Sequence, residues 1–153
     1  ARLIINLEKL YLSLKKLDLK DSPITEYYEL SHKLGIPQKN MNELQNKLFG
    51  IECNFEELNG IDFKKGCYVG QENTARIKLK NKLSKRLLPI HLIEGGIDQD
   101  DLIYNGNFEI GKVLISSEYP FALIKYLDNN FNQENEFKSK NARLKIKKPD
   151  WIK

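Results

Sequence analysis

Leucines at helical spacing dominate the start of the chain. Leu7, Leu10, Leu14 and Leu17 recur at intervals of three or four residues, after an apolar stretch at residues 2–7. Such intervals place side chains on one face of a helix, whereas a short β-branched run favours a strand. The pattern therefore predicts a buried strand over residues 2–7 and an amphipathic helix over residues 8–19.

A second helix is predicted over residues 24–34. Ser22 is a candidate N-cap, Pro23 suits the first helical position, and Gly35 is a typical helix end. Residues 38–60 lack a regular period apart from a helical turn expected near residues 42–48. A further short helix is predicted for "CYVGQENTARI", residues 67–77.

From residue 83 onward the apolar positions follow the spacing of strands. Four segments show it, with turn residues between them: 86–92, 108–116, 121–127 and 143–151. Several short strands at such intervals predict a small antiparallel barrel or sandwich. The lysine-rich residues 78–85 mark a boundary, so we predict an α+β chain with an α/β part over 1–80 and an all-β part over 81–153. The first part has too few strands for a sheet of its own, so we expect strands from elsewhere to complete it.

Composition and charge narrow the class of protein. The 153 residues are 41% hydrophobic and 30% charged, as in soluble globular proteins, and no apolar run is long enough to span a bilayer. No signal-peptide pattern is present at the start, so we expect a cytoplasmic or organelle-matrix location and no membrane association. The net charge of +4 comes almost entirely from lysines, with only four arginines. Because arginine is the side chain suited to bidentate phosphate and base recognition, direct nucleic-acid binding is not expected.

The cysteines limit the metal chemistry. Cys53 and Cys67 are too far apart for a Cys-x-x-Cys pair, and two cysteines alone cannot complete a zinc or iron-sulfur ligand set. We therefore predict no metal site. Cys67 stands out because Lys64, Lys65 and a helix N-terminus near Gly66 are neighbours that lower the pKa of a thiol. The alternative is that Cys67 is a small buried hydrophobic residue.

The residues after Cys67 suit a ligand with a heteroaromatic ring. Tyr68, Gln71 and Glu72 offer a ring, an amide and a carboxylate, which can pair with donors and acceptors on the edge of such a ligand. Glu72 and Arg76 stand four residues apart, so the alternative is an ion pair on the surface of a helix. The sequence is compatible with both a ligand contact and a surface ion pair.

The string "LNGIDFKKGCYVGQENTAR", residues 58–76, resembles the signature of the YgfZ family. These are folate-binding proteins of iron-sulfur cluster maintenance and relatives of the glycine cleavage T-protein. The family motif is K-G-C-[YF]-x-G-Q-E, then alanine or serine, then a basic residue. It is matched by Lys65, Gly66, Cys67, Tyr68, Gly70, Gln71, Glu72, Ala75 and Arg76.

Three further segments resemble the family: "KLGIP" at 33–37, "IECNFEELNG" at 51–60 and "PDWI" at 149–152. The chain departs from the family at Lys33, where arginine is usual, and at Gly50, where proline is common. Family members also begin with an additional stretch about as long as this chain. We therefore expect the chain to be the C-terminal portion of such a protein.

The resemblance implies a T-protein-like fold of three domains around a tetrahydrofolate site. Residues 1–80 would be the end of a ferredoxin-like central domain, and residues 81–153 a C-terminal β-barrel. The resemblance also implies that Cys67 is the reactive group. The implied folate-binding residues are Lys33, Lys65, Tyr68, Gln71, Glu72 and Arg76.

The function implied by the resemblance is that of a folate-binding auxiliary factor in iron-sulfur cluster assembly or repair, supporting enzymes such as those that modify tRNA. Its expected partners are folate and iron-sulfur proteins or assembly factors. We expect a monomer when full length, in the cytoplasm or, in a eukaryote, the mitochondrial matrix. The alternatives are a T-protein-like aminomethyltransferase that passes a one-carbon unit to tetrahydrofolate, and a basic RNA-binding module.

Overall fold

The computed structural model describes residues 4–66, 72–79, 83–125 and 131–152. Three α-helices precede six β-strands in chain order. The helices are α1 Leu7–Lys16, α2 Ile24–Lys33 and α3 Glu72–Leu79; short 3₁₀ turns lie at Met41–Leu44 and Phe63–Lys65. The strands are β1 Arg86–Glu94, β2 Leu102–Asn105, β3 Phe108–Ile115, β4 Phe121–Ile124, β5 Phe137–Ser139 and β6 Ala142–Ile146. The predicted α+β class is confirmed.

Helix α1 begins at an asparagine cap. The Asn6 side chain accepts hydrogen bonds from the backbone N–H of Glu8 at 3.0 Å and of Lys9 at 3.4 Å. A capping side chain of this kind satisfies N–H groups that have no partner inside the helix. The strand predicted over residues 2–7 is therefore wrong for residues 4–7, where the chain leads into the cap and then into the helix. The helix predicted over residues 8–19 is confirmed over residues 8–16, whereas residues 17–19 are not helical.

Helix α2 ends where the sequence predicts, in a motif that requires glycine. The N–H of Gly35 bonds to the carbonyl of His32 and that of Ile36 to the carbonyl of Ser31, both at 2.8 Å. Gly35 has φ +72°, a left-handed conformation that side chains disfavour. A Cβ at Gly35 would also lie 2.2 Å from Cγ of Pro149. The helix end is therefore packed directly against the segment that follows the last strand.

The six strands form a closed antiparallel barrel in the order β1-β4-β3-β2-β5-β6. Strand β1 closes it, because Arg86–Pro89 pair with β4 whereas Ile90–Glu94 pair with β6. The sequence was compatible with either a barrel or a sandwich, and the structure is a barrel. Strands β2 and β5, of four and three residues, were not predicted.

The barrel interior holds the main hydrophobic core. Strand β6 alternates inward apolar and outward polar side chains along its length, whereas β1 is buried over its first five residues and exposed over its last four. A second cluster lies outside the barrel wall and joins it to the loop that follows α2. The core side chains are Leu88, Ile90, Ile97, Ile103, Ile110, Val113, Ala122, Ile124, Phe137, Ala142, Leu144, Ile146 and Ile152, and the second cluster is Leu44, Leu87, Leu114, Ile115 and Phe121.

Helix α1 forms, but of its predicted apolar face Leu10 and Leu14 are only half-buried while Leu7 and Leu17 are exposed. The helix has no buried residue, and Leu7 remains 79% exposed. Tyr11 and Leu12 are exposed as well. Among the described residues no strand precedes β1.

Candidate functional site

The chain enters the cysteine motif through a capped turn. The Asp62 carboxylate accepts a hydrogen bond from the backbone N–H of Lys64 at 2.8 Å, which starts the 3₁₀ turn Phe63–Lys65. Gly66 then has φ +87° and ψ 178°, a conformation that is almost confined to glycine. A Cβ at Gly66 would meet nothing within 4 Å, so the backbone conformation, rather than space, requires glycine here.

Helix α3, which follows the motif, is tied to the segment that precedes it. The ammonium group of Lys78 lies 2.7 Å from both carboxylate oxygens of Glu56. It also lies 5.6 Å from the centre of the Phe63 ring, within the range of a cation–π contact. These contacts hold together the two segments that flank residues 67–71.

The predicted site residues divide into two groups. Cys67, Tyr68 and Gln71 lie outside the described residues. Lys65, Glu72, Arg76 and Lys33 are described and exposed. The assignment of these residues to a folate site therefore stays a prediction.

The described site residues are not joined to one another. In the ranges that the structure covers, no ion pair links Glu72 to Arg76, so the surface ion pair considered as the alternative is not formed there. Likewise, no hydrogen bond or ion pair connects Lys33, at the end of α2, with the described part of the motif. The carboxylate of Glu72 and the guanidinium of Arg76 are therefore both accessible to a ligand.

A buried polar network fixes the loop before the motif to strand β1. Arg86 forms an ion pair with Glu57 and donates a hydrogen bond to Oδ1 of Asn54 at 3.1 Å. Nδ2 of Asn54 donates to the carbonyl of Leu87 at 3.0 Å, and the N–H of Leu87 donates to the carbonyl of Glu52 at 2.8 Å. No sequence signal indicated this network, because its contacts join residues that lie far apart in the sequence, as Arg86 does from Glu57 and Asn54.

One oxygen of this network is unsatisfied. Within the described residues, Oε2 of Glu57 is buried without a hydrogen-bond partner, while Oε1 contacts Arg86. A buried carboxylate depends on its cationic partner to offset the cost of desolvation. The ion pair between Arg86 and Glu57 therefore holds the loop 52–57 in place, and removing Arg86 would greatly lower the free energy of unfolding.

The described cysteine is chemically protected. Cys53 packs against the cluster outside the barrel wall. Burial, and to a smaller extent the negative charge of Glu52, raises the pKa of its thiol to about 11. Because the thiolate is the reactive form, Cys53 is unreactive at neutral pH.

Two histidines meet where α2 packs on the barrel. The rings of His32 and His91 lie 5.2 Å apart, and the His32 ring meets the Phe121 ring edge to face at the same distance. Nε2 of His32 lies 3.0 Å from the carbonyl oxygen of Pro120, which can only accept, so this nitrogen carries a proton. The contact between the two histidines could not be predicted from the sequence, because they are 59 positions apart.

Both histidines favour the neutral form. Burial lowers the pKa of His32 below its ordinary value of 6.5. The pKa of His91 is lowered by burial and by the nearby charges of His32 and Lys147. The junction between α2 and the barrel is therefore uncharged at neutral pH.

Clusters of metal ligands and membrane-spanning helices are both absent from the described residues. Over the described ranges, no three residues among histidines, cysteines, aspartates and glutamates lie close enough to share a metal ion. In those same ranges, none of the helices has the length and apolar character needed to cross a membrane.

Comparison with known proteins gives sequence relatives but no family match. No protein-family model matches the chain. The chain is 40% identical over 75 residues to a protein of Neurospora crassa and 40% identical over 77 residues to one of Dictyostelium discoideum. A protein of Aspergillus oryzae is 43% identical over 68 residues. Each of the three is named "Iron-sulfur cluster assembly factor IBA57 homolog, mitochondrial".

The matches cover only part of each protein. They span 49%, 50% and 44% of this chain but 17%, 18% and 15% of the respective relatives. The relatives' names are mitochondrial, which agrees with the mitochondrial-matrix location predicted for a eukaryotic protein. Over about half of its length, then, the chain is similar to mitochondrial iron-sulfur cluster assembly factors.

Proposed function

We propose that this chain acts in the mitochondrial matrix as a tetrahydrofolate-binding auxiliary factor in the assembly or repair of iron-sulfur clusters. The observation that carries the proposal is the 40% identity, over about half of the chain, to proteins named as mitochondrial iron-sulfur cluster assembly factors. The resemblance of residues 58–76 to the YgfZ signature supports the same role. Its partners would then be iron-sulfur proteins or other components of the assembly machinery.

The fold supports this proposal in outline. A helical part followed by a closed antiparallel barrel is the order expected for the end of a T-protein-like fold. In that arrangement residues 1–80 belong to a ferredoxin-like central domain. The apolar face of α1, which is not fully buried in this structure, is what a helix packed on a sheet would bury.

Cys67 is the working thiol in this proposal. The other cysteine is unsuited to the role, because burial keeps the Cys53 thiol protonated. The backbone of Gly66 and the capped turn before it present the chain in a conformation that ordinary residues avoid, as is common at functional sites. Two cysteines cannot hold a cluster alone, so Cys67 would act together with a partner protein or a bound ligand.

The thiol's role is tested by Cys67→Ala, with Cys53→Ala as the matched control. Each variant is expressed in cells that lack their own assembly factor, and the activities of mitochondrial iron-sulfur enzymes are measured. We expect loss of activity with Cys67→Ala and near wild-type activity with Cys53→Ala, at equal protein levels. Normal activity with Cys67→Ala would refute the role of this thiol.

Folate binding is tested separately by calorimetric titration of tetrahydrofolate. We expect Glu72→Gln and Arg76→Gln each to weaken binding about tenfold, because each removes a charge-assisted hydrogen bond. Glu8→Gln, an exposed carboxylate at the start of α1, is the control and should leave binding unchanged. Absence of saturable binding to the wild-type chain would contradict a folate site in it. Formation of methylene-tetrahydrofolate during such a titration with an aminomethyl donor would instead favour the transferase.

A further inference from the structure

The outer face of β6 is uniformly basic. Ala142, Leu144 and Ile146 point into the barrel, and the positions between them and after them are exposed. Those exposed positions are Arg143, Lys145 and Lys147. Alternate residues of a strand stand about 7 Å apart, so the three cationic side chains form a row along the barrel wall.

The two ends of this row differ in how far their charge is neutralised. Arg143 contacts carboxylates of both Glu94 and Glu136, at 3.0 and 3.5 Å. Lys145 reaches Glu136 only at 4.0 Å. In the part of the chain that the structure covers, Lys147 has no carboxylate at ion-pairing distance. Positive charge is therefore concentrated at the Lys147 end.

His91 lies beside this end of the row. It is the residue directly opposite Lys145 in the pairing of β1 with β6. Neighbours of this kind have Cβ atoms about 5 Å apart on the same face of the sheet. Lys147 is near enough to lower the pKa of the His91 ring by its charge, after the larger effects of burial and of His32. The imidazole of His91 and the ammonium groups of Lys145 and Lys147 thus lie on the same side of the barrel wall and face a common space.

That space is a cleft of about 300 Å³ at the rim of the barrel. Its volume is at the lower end of the range typical of small-molecule sites. The neutral ring of His91 lines the cleft, and the charged side chains in its walls are Glu134, Lys145, Lys147, Lys148 and Asp150. Three ammonium groups therefore face two carboxylates across the cleft.

We propose that this cleft binds a small phosphate ester that also carries hydroxyl groups. The phosphate would lie between Lys145 and Lys147, where charge-assisted hydrogen bonds can form, with His91 as a further donor. The carboxylates of Glu134 and Asp150 would accept hydrogen bonds from hydroxyl groups of the ligand. The same carboxylates repel a continuous polyanion such as RNA, in which every unit is charged. This site is separate from the cysteine motif and does not depend on folate binding.

The proposal is tested with adenosine 5′-monophosphate, inorganic phosphate and adenosine as probes, by calorimetry and by NMR of the His91 ring. We expect saturable binding of the nucleotide, weaker binding of phosphate and no binding of adenosine. Lys147→Gln should weaken nucleotide binding about tenfold, the loss expected for one charge-assisted contact. Lys20→Gln, which removes an equally exposed lysine far along the chain, should change it less than about twofold.

The NMR measurement gives a readout that a merely structural effect would not produce. A bound phosphate favours the charged imidazole, so saturating nucleotide should raise the pKa of His91. No saturable binding of either phosphate-containing probe, or equal binding by the Lys147→Gln variant, would overturn the site. Equal affinities for phosphate and nucleotide would overturn the recognition of hydroxyl groups, and binding of adenosine would overturn the recognition of phosphate.

Discussion

The barrel and the first helix carry equally clear amphipathic patterns, but only the barrel buries its apolar side. Leu144 and Ile146 of β6 are fully buried, whereas Leu7 of α1 is 79% exposed and no residue of that helix is buried. The inward side chains of a strand in a closed barrel always pack against those of the opposite strands, whereas an isolated helix has no neighbouring element to pack against. Periodicity in the sequence therefore indicates which face of a helix or strand can be buried, but not which part of the molecule covers it.

Helix α2 is intermediate between these two regions. Its first turns are exposed, as at Ile24, but its last turn is attached to the barrel in several ways. The indole N–H of Trp151 donates to the carbonyl of Leu34 at 2.8 Å, and Gly35 packs against Pro149. The following predictions test how strongly the barrel holds the residues that precede it.

The largest effect is expected from Arg86→Ala, which removes the link between β1 and the loop 52–57. It would leave the buried carboxylate of Glu57 without its cation, at a cost of about 3–5 kcal/mol in the free energy of unfolding. Urea denaturation measures this cost. Adding Glu57→Gln should recover part of it, since an amide carries no charge to desolvate; no recovery would show that the pairing with Glu57 is not the cause.

A core truncation compares the barrel with α1 directly. Leu144→Ala should lower the free energy of unfolding by about 3 kcal/mol, because it opens a cavity in a fully buried site. Leu12→Ala, at an exposed position of α1, should cost less than about 0.5 kcal/mol. Thermal unfolding of both variants checks the contrast, and equal losses would mean that the face of α1 is covered in solution.

The attachment of α2 is broken by Gly35→Ala. The new Cβ would meet the Pro149 ring and would sit at a positive φ, so we expect a loss of about 1–2 kcal/mol and faster amide exchange in α2 than in the barrel. Gly96→Ala is the matched control, because a Cβ there meets nothing within 4 Å. If both variants behave alike in hydrogen exchange, the contact with Pro149 does not hold the helix.

The smallest effect is the pH dependence of the histidine junction. The pKa values of His32 and His91 are lowered in the folded chain from 6.5, so the unfolded chain binds more protons at mildly acidic pH. Stability is therefore fully present above pH 6.5 and falls as the pH drops below it, by at most about 1.4 kcal/mol per pH unit for each histidine. Urea unfolding between pH 5 and pH 7.5 measures the slope. A His32→Phe variant should show a shallower slope, and an unchanged slope would remove His32 as its source.

Local signals predicted the fold better than long-range ones did. The end of α2 at Gly35 followed from one residue type, and the strand alternation around β1, β3, β4 and β6 followed from the apolar spacing. Residues 4–6 were mistaken for a strand because their apolar side chains outweighed the capping role of Asn6. Strands β2 and β5 each form a hairpin with the next strand, but the pairing of Tyr104 in β2 with Lys138 in β5 joins residues that are distant in sequence.

In the candidate sites, too, local features could be predicted from the sequence and long-range contacts could not. The short helix predicted over residues 67–77 follows from residues adjacent in the chain, and it is confirmed over the described residues 72–77. The Arg86 network and the contact between His32 and His91 join residues separated by dozens of positions, and no local pattern indicates such contacts. The folate site around Cys67 stays a prediction.

The division of β1 between two partners has a consequence for synthesis of the chain on the ribosome. Its first half can pair with β4 as soon as Phe121–Ile124 has emerged, but its second half must wait for Ala142–Ile146. Until then the nascent sheet has open edges at β1 and β5, and unpaired edges of this kind invite association with other chains. A pause in translation before residue 142 would therefore prolong the stage at which a chaperone is most useful.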